Sequence, residues 1–153
     1  MDLEEYQYFV ARALRGMLAI AEELGDQGVN LRVPVPGANT ATGLITHSAA
    51  VVDYWVGALL ARRDVVRDRD AEFARRATVA ELQSAVARCL DQLDKDLAVV
   101  NLQHRPRTAD RALLGPQRSL TATGVLLHVL EEVAQHHGQL EVLRDTLMVT
   151  RPA

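Results

Sequence analysis

The chain has 153 residues, 48% of them apolar and 24% charged, with a net charge of −3. That suits one soluble domain spanning 1–153 with a real core. It excludes a Cys-rich zinc site and an intramolecular disulfide, because Cys89 is the sole cysteine, and it offers no apolar run approaching the ~20 residues of a membrane span.

The acidic start "MDLEEYQYFV" lacks the basic and apolar regions of a signal peptide, so a cytoplasmic protein is expected. Asp2 is a plausible N-cap for a first helix from about Leu3 to Leu24. Its apolar positions Leu3, Tyr6, Val10, Ala13, Met17, Ile20, Ala21 and Leu24 recur at helical spacing. Gly25 suits the left-handed position that closes such a helix. The loop "GDQGVNLRVPVPGANT" follows, kept extended by Pro34 and Pro36.

Asn39 or Thr40 can cap a second helix reaching about Ala61, with Leu44, Val51, Trp55, Ala58 and Leu59 inward. A charged connection, "RRDVVRDRDAEFARRA", leads to "TVAEL", where Thr78 and Glu81 have the spacing of a capping box. The third helix is expected to run to about Val100 with Leu82, Ala85, Val86, Cys89, Leu93 and Leu97 inward. In that apolar context Cys89 reads as a small core residue. A loop over 101–118 precedes a fourth helix, capped by Ser119 or Thr121 and ending near Leu147.

No segment alternates with period two, and Pro demotes the nearest candidate, "NLRVPVPG". The basic stretches "HRPR" and "ARRDVVRDRD" are too short or too mixed for a nucleic-acid face, so no nucleic-acid partner is expected. Four amphipathic helices predict an all-α fold, a four-helix bundle with long connections that permit crossovers.

The segment "VLLHVLEEVAQHHGQL", 125–140, places polar groups where an apolar face is needed. On a wheel of about 100° per residue, Glu132 and His136 share the arc of Val125, Val129, Leu140, Leu143 and Leu147. They are one turn apart on one face. His128 and Gln139 fall at the edge of that arc nearest Glu132, whereas Glu131, Gln135 and His137 point outward or to the flank. A buried carboxylate must be paired, protonated or given a cation. An arginine from another helix, a Glu–His hydrogen bond and a metal each satisfy that demand. His47, on the second helix with Leu44, Val51, Tyr54 and Ala58, is a third polar group on an apolar face. Facing helices of a bundle are where metal sites are built, and two His with one carboxylate leave coordination positions open.

"LITHSAAVVDYW" and "LLHVLEEVAQHHGQLEVLRD" resemble the DinB/YfiT-like superfamily of metal-binding four-helix bundles. They are most similar to its actinobacterial branch of mycothiol-dependent enzymes, including the maleylpyruvate isomerase-like N-terminal domain. "RDRDAEF" at 67–73 also fits that branch, so the resemblance covers nearly the whole chain. It implies an up-down-down-up bundle and a divalent metal held by His47, Glu132 and His136. Zinc is the first choice, with nickel, iron and manganese as competitors. It implies mycothiol as co-substrate, attacking a small electrophile in S-transfer or isomerisation, and a homodimer paired through helix faces. A non-catalytic metal-binding dimeric module and a hydrolase using metal-bound water are the rival readings.

Where relatives often carry a second His, this chain has Gln139, which can hydrogen-bond to a metal water or simply pack. His128 matches a His of the branch and is expected either to orient Glu132 or to sit at the rim in water. Arg144 matches an Arg of the branch, with a salt bridge near the helix C-terminus set against substrate contact. Tyr54 and Trp55 are expected to pack or to line the pocket mouth.

Overall fold

The structure, a computed structural model, describes residues 1–110, 115–116 and 118–150. Its helices are α1 (Leu3–Gly28), α2 (Ala41–Val52), α3 (Arg69–Ala74), α4 (Val79–Leu97) and α5 (Ala122–Thr150). A π-helical turn, Asp53–Ala58, continues α2. Among the described residues there is no strand, and no helix is long and apolar enough to cross a membrane.

The ends of the helices follow local chemistry. Asp2 accepts from the backbone N–H of Glu4 and Glu5, Thr40 from Gly43, and Thr121 from Gly124. The Thr78–Glu81 capping box is complete, and such a cap is worth about 1 kcal/mol. Gly25 interrupts α1 at φ 68 and ψ 174, beyond which one further turn reaches Gly28. The first helix thus bends at the expected glycine but ends three residues later. The third predicted helix, α4, stops at Leu97 rather than Val100.

The second predicted helix departs most from expectation. Its α-helical ladder opens at Asp53, where Leu59 N–H bonds to Tyr54 O and Ala61 N–H to Val56 O. Each bond spans five residues, the mark of a π-turn. The turn is closed by Arg63, which is paired with Asp53 and reaches the buried Asp96 of α4 at 2.7 and 2.9 Å.

Contacts between helices define the course of the chain. Gln7 reaches Asp94 and Gln83 reaches Glu22, so α1 and α4 are antiparallel. Gly16 lies under His137 and Glu23 pairs with Arg144, so α1 and α5 are parallel. His47 meets His136 and Trp55 meets His128, so α2 opposes α5. The order is therefore up-down-down-up. The core includes Val10, Leu14 and Met17 of α1, Leu44 and Val51 of α2, Leu82 and Leu93 of α4, and Leu126, Val129 and Leu140 of α5.

The charged connection after α2 is not a plain loop. It contains α3, capped by Asp68, which packs against α2 and buries Glu72. Of the long loop expected over 101–118, residues 111–114 and 117 lie outside the described residues. The part before them is pinned to the π-turn, through Arg107 N–H to Leu59 O and Asp110 N–H to the Tyr54 hydroxyl.

Candidate metal centre

The antiparallel α2–α5 pair brings His47 level with the turn that carries Glu132 and His136. One nitrogen of each imidazole and one carboxylate oxygen all lie within 4.8 Å of one another. His47 Nε2 is 3.6 Å and His136 Nε2 3.7 Å from Glu132 Oε2. Both distances exceed a good hydrogen bond, so the three groups converge without satisfying one another. His47 is buried; Glu132 and His136 are partly open to a pocket of about 170 Å³.

The far nitrogen of each imidazole has a partner. His47 Nδ1 is 2.7 Å from Glu72 Oε2. His136 Nδ1 is 3.1 Å from Gln139 Oε1, an acceptor one turn along α5. With Nδ1–H donating in both rings, each Nε2 carries its lone pair and faces Glu132. Glu72 is in turn bound by Arg67, whose Nε and Nη2 donate to it at 2.8 and 3.0 Å. Arg67 and Glu72 are only 3% and 7% exposed, so this is an ion pair built into the floor behind His47.

Electrostatics follow from these contacts. The His136 imidazole, and after it His47, hold the Glu132 carboxyl far below the usual carboxylate range. Burial alone would lower the pKa of His47, but Glu132 and Glu72 beside it outweigh that and raise it. Burial pushes Glu72 up, yet His47 and Arg67 bring it below its ordinary value. The site is thus an ionised carboxylate facing two imidazoles that a proton or another cation can join.

A divalent cation fits this arrangement. Donors about 2.1 Å from a shared zinc at a tetrahedral angle are about 3.4 Å apart. The observed 3.6 and 3.7 Å separations are close to that spacing. The donor set is borderline-soft, the tautomers are fixed by outer partners, and the open side of the pocket leaves room for a further ligand.

The other residues singled out by sequence divide between this pocket and elsewhere. Trp55 and His128 line it together with Val51, Arg67, Arg69 and Gln135. The His128 ring meets Trp55 edge-on at 4.5 Å, and its Nδ1 is 3.8 Å from Glu131 rather than at Glu132. Tyr54 is buried beside Trp55, with its hydroxyl accepting from Asp110 N–H. Arg144 is not among the residues lining the pocket and is paired with Glu23 and Asp145. Sequence reading passed over Glu72 and Arg67 as roles, although both fall inside "RDRDAEF". An Arg and a Glu five apart give no periodic signal; only the docking of α3 on α2 makes them partners.

A second, larger cavity of about 410 Å³ lies between α2 and α4, lined by Ala49, Leu82, Arg88 and Cys89 among others. Among the described residues it holds no comparable cluster of ligating groups, and burial pushes the Cys89 thiol up to about 12, which leaves it inert at neutral pH.

No curated protein matches the chain. A conserved protein of locus from Enterococcus faecalis, known from its crystal structure, shares the fold with a TM-score of 0.74. The match covers 96% of this chain and 97% of that one at 16% identity. Residues 6–148 match the family described as Mycothiol-S-transferase. With a helical bundle and a convergent His–Glu–His cluster at its centre, the chain belongs to the mycothiol-S-transferase family.

Proposed function

We propose that this protein is a divalent-metal-dependent transferase that moves the sulfur of mycothiol onto a small electrophile, with His47, Glu132 and His136 as metal ligands. The observation that carries the reading is the convergence of two Nε2 lone pairs on one ionised carboxylate, each imidazole fixed from behind by its own acceptor. Zinc suits the donor set; nickel, iron and manganese suit it nearly as well. A divalent cation held there lowers the pKa of a thiol presented to it, as it does that of water.

The chain's own groups do the rest. Glu72, itself gripped by Arg67, is the acceptor for an Nδ1–H of His47, and Gln139 Oε1 is the acceptor for that of His136. Trp55 forms an apolar wall that limits water around the reacting sulfur. His128 shares that wall and stands outside the ligand set, so it is the imidazole available to accept the thiol proton. The sulfur forms a bond to an electrophilic carbon. The displaced electron pair leaves with a leaving group or moves along a conjugated double bond to the neighbouring carbon, which takes up a proton. With this reading go a cytoplasmic location, where low-molecular-weight thiols stay reduced, and a homodimer. Sedimentation at the mass of a single chain would remove the dimer.

The test is to incubate the metal-loaded protein with mycothiol and a panel of electrophiles. Thioether product should form, cease with chelator and return with added metal. Turnover without thiol would identify a hydrolase instead, and absence of thiol binding would remove the transferase reading.

A further inference from the structure

The outward face of α1 carries a pattern that the single chain does not use. Tyr8 and Phe9 are 61% and 47% exposed, although rings of that size usually dominate buried surfaces. They meet edge-on, with centroids 5.2 Å apart. Two carboxylates, Glu4 and Glu5, precede them and two guanidinium groups, Arg12 and Arg15, follow, all four exposed. Among the described residues none of these four charges has an ion-pair partner. Nor does α1 offer one: the positions three and four away from each, where a helix pairs its own charges, hold no side chain of opposite charge.

Spacings of three and four put Glu5, Tyr8, Arg12 and Arg15 on one stripe. Phe9, two turns before Gly16, lies on the edge of that stripe toward α5. By the register that sets Gly16 against His137 and Glu23 against Arg144, Leu127 of α5 is level with the same part of α1. It is 53% exposed and widens the apolar patch.

The order of acid, aromatic and base selects the partner. A parallel copy of α1 would set acid against acid and base against base. An antiparallel copy reverses the order. With a two-fold axis between Tyr8 and Phe9, the rings meet their own counterparts at the centre. Arg12 comes level with Glu5 of the second copy, and Arg15 falls on the same flank as its Glu4. Each contact occurs twice, as an isologous interface requires. The opposed charges set direction and register, while the aromatic centre supplies most of the affinity. The seam is short, which places the dimer in the weak, reversible class.

We propose that α1 is the homodimer surface, with two copies paired antiparallel through Glu4, Glu5, Tyr8, Phe9, Arg12 and Arg15. This rests on the homodimer of the reading above and on none of its metal or thiol chemistry.

Sedimentation velocity of the full chain, from about 1 to about 300 μM, should show a reversible dimer. Glu5→Arg and Arg12→Glu should each weaken it about tenfold or more, because each sets like charges together. The double variant restores the pair in reverse and should recover most of the loss, which a damaged fold would not do. Metal content should stay the same in all of them, since no residue of α1 lines the metal pocket. In a second arm, Tyr8→Cys should be joined to its counterpart by a short bismaleimide. Ala19→Cys, exposed but about 30 Å from its counterpart across the axis, should not. A chain monomeric throughout would overturn this surface and the homodimer together. A dimer unmoved by the single reversals, or not rescued by the double, would overturn this surface and leave the homodimer to another face.

Discussion

At the scale of single residues, the centre depends on groups that do not themselves face its open side. His47 offers Nε2 because Nδ1–H is held by Glu72, and Glu72 stays ionised in a buried place because Arg67 grips it. Outer partners of metal-bound histidines typically contribute tenfold to a hundredfold in metal affinity. Glu72→Ala should therefore weaken zinc binding by about that factor in a chelator competition, with helical content retained. Glu72→Gln, which can still accept from Nδ1–H, should lose less. Equal affinities in all three proteins would show that His47 needs no support. The three central residues were legible in the sequence because Glu132 and His136 repeat with the helix and interrupt an apolar arc. Glu72 was not. It is one acid among several in a charged stretch, and its burial is a tertiary event.

At the scale of elements, the apolar spacing of the second helix, Val51, Trp55, Ala58 and Leu59, is satisfied as well by a π-turn as by an α-turn, so the opening at Asp53 was invisible to periodicity. What maintains it is tertiary: Arg63 bridges Asp53 to Asp96 across the face of Gly57. A methyl group at Gly57 would run into that guanidinium, with Asp96 Oδ2 3.0 Å away. Alanine gains about 1 kcal/mol over glycine in an open helix. Here the overlap with a fixed ion pair, typically about 1–3 kcal/mol, should win. Gly57→Ala should accordingly lower the urea midpoint, and a higher midpoint would mean that Arg63 does not constrain the turn. On α5, the wheel found Val125, Val129, Leu140, Leu143 and Leu147 but left out Leu126 and Val133, which are fully buried. That helix packs against both α1 and α2, so one arc could not describe it.

At the scale of the whole molecule, the up-down-down-up course makes α2 and α5 antiparallel neighbours and so assembles the cluster from residues 85 positions apart in the chain, His47 and Glu132. On the proposed reading, those groups should make stability depend on pH and on metal together. Glu72 has a lowered pKa in the folded chain, so its share of stability is complete above its ordinary 4.5 and is lost as pH falls through the folded value. His47 has a raised pKa, so its share is present below 6.5 and is lost as pH rises through the folded value. The metal-free protein should melt highest in the mildly acidic window between these limits. A bound cation requires a neutral His47, so the proton competes with it. Melting curves of metal-free and zinc-loaded protein should diverge as pH rises from about 6 to about 8. Parallel curves would mean that the metal does not displace a proton from this cluster.

The most direct test of the whole account is metal content, measured by elemental analysis on protein purified without chelator and again after reconstitution with zinc. The account predicts close to one divalent cation per chain in wild type and almost none in His47→Ala and His136→Ala, with helical circular dichroism unchanged. Full occupancy in both variants, or no binding by wild type, would contradict it.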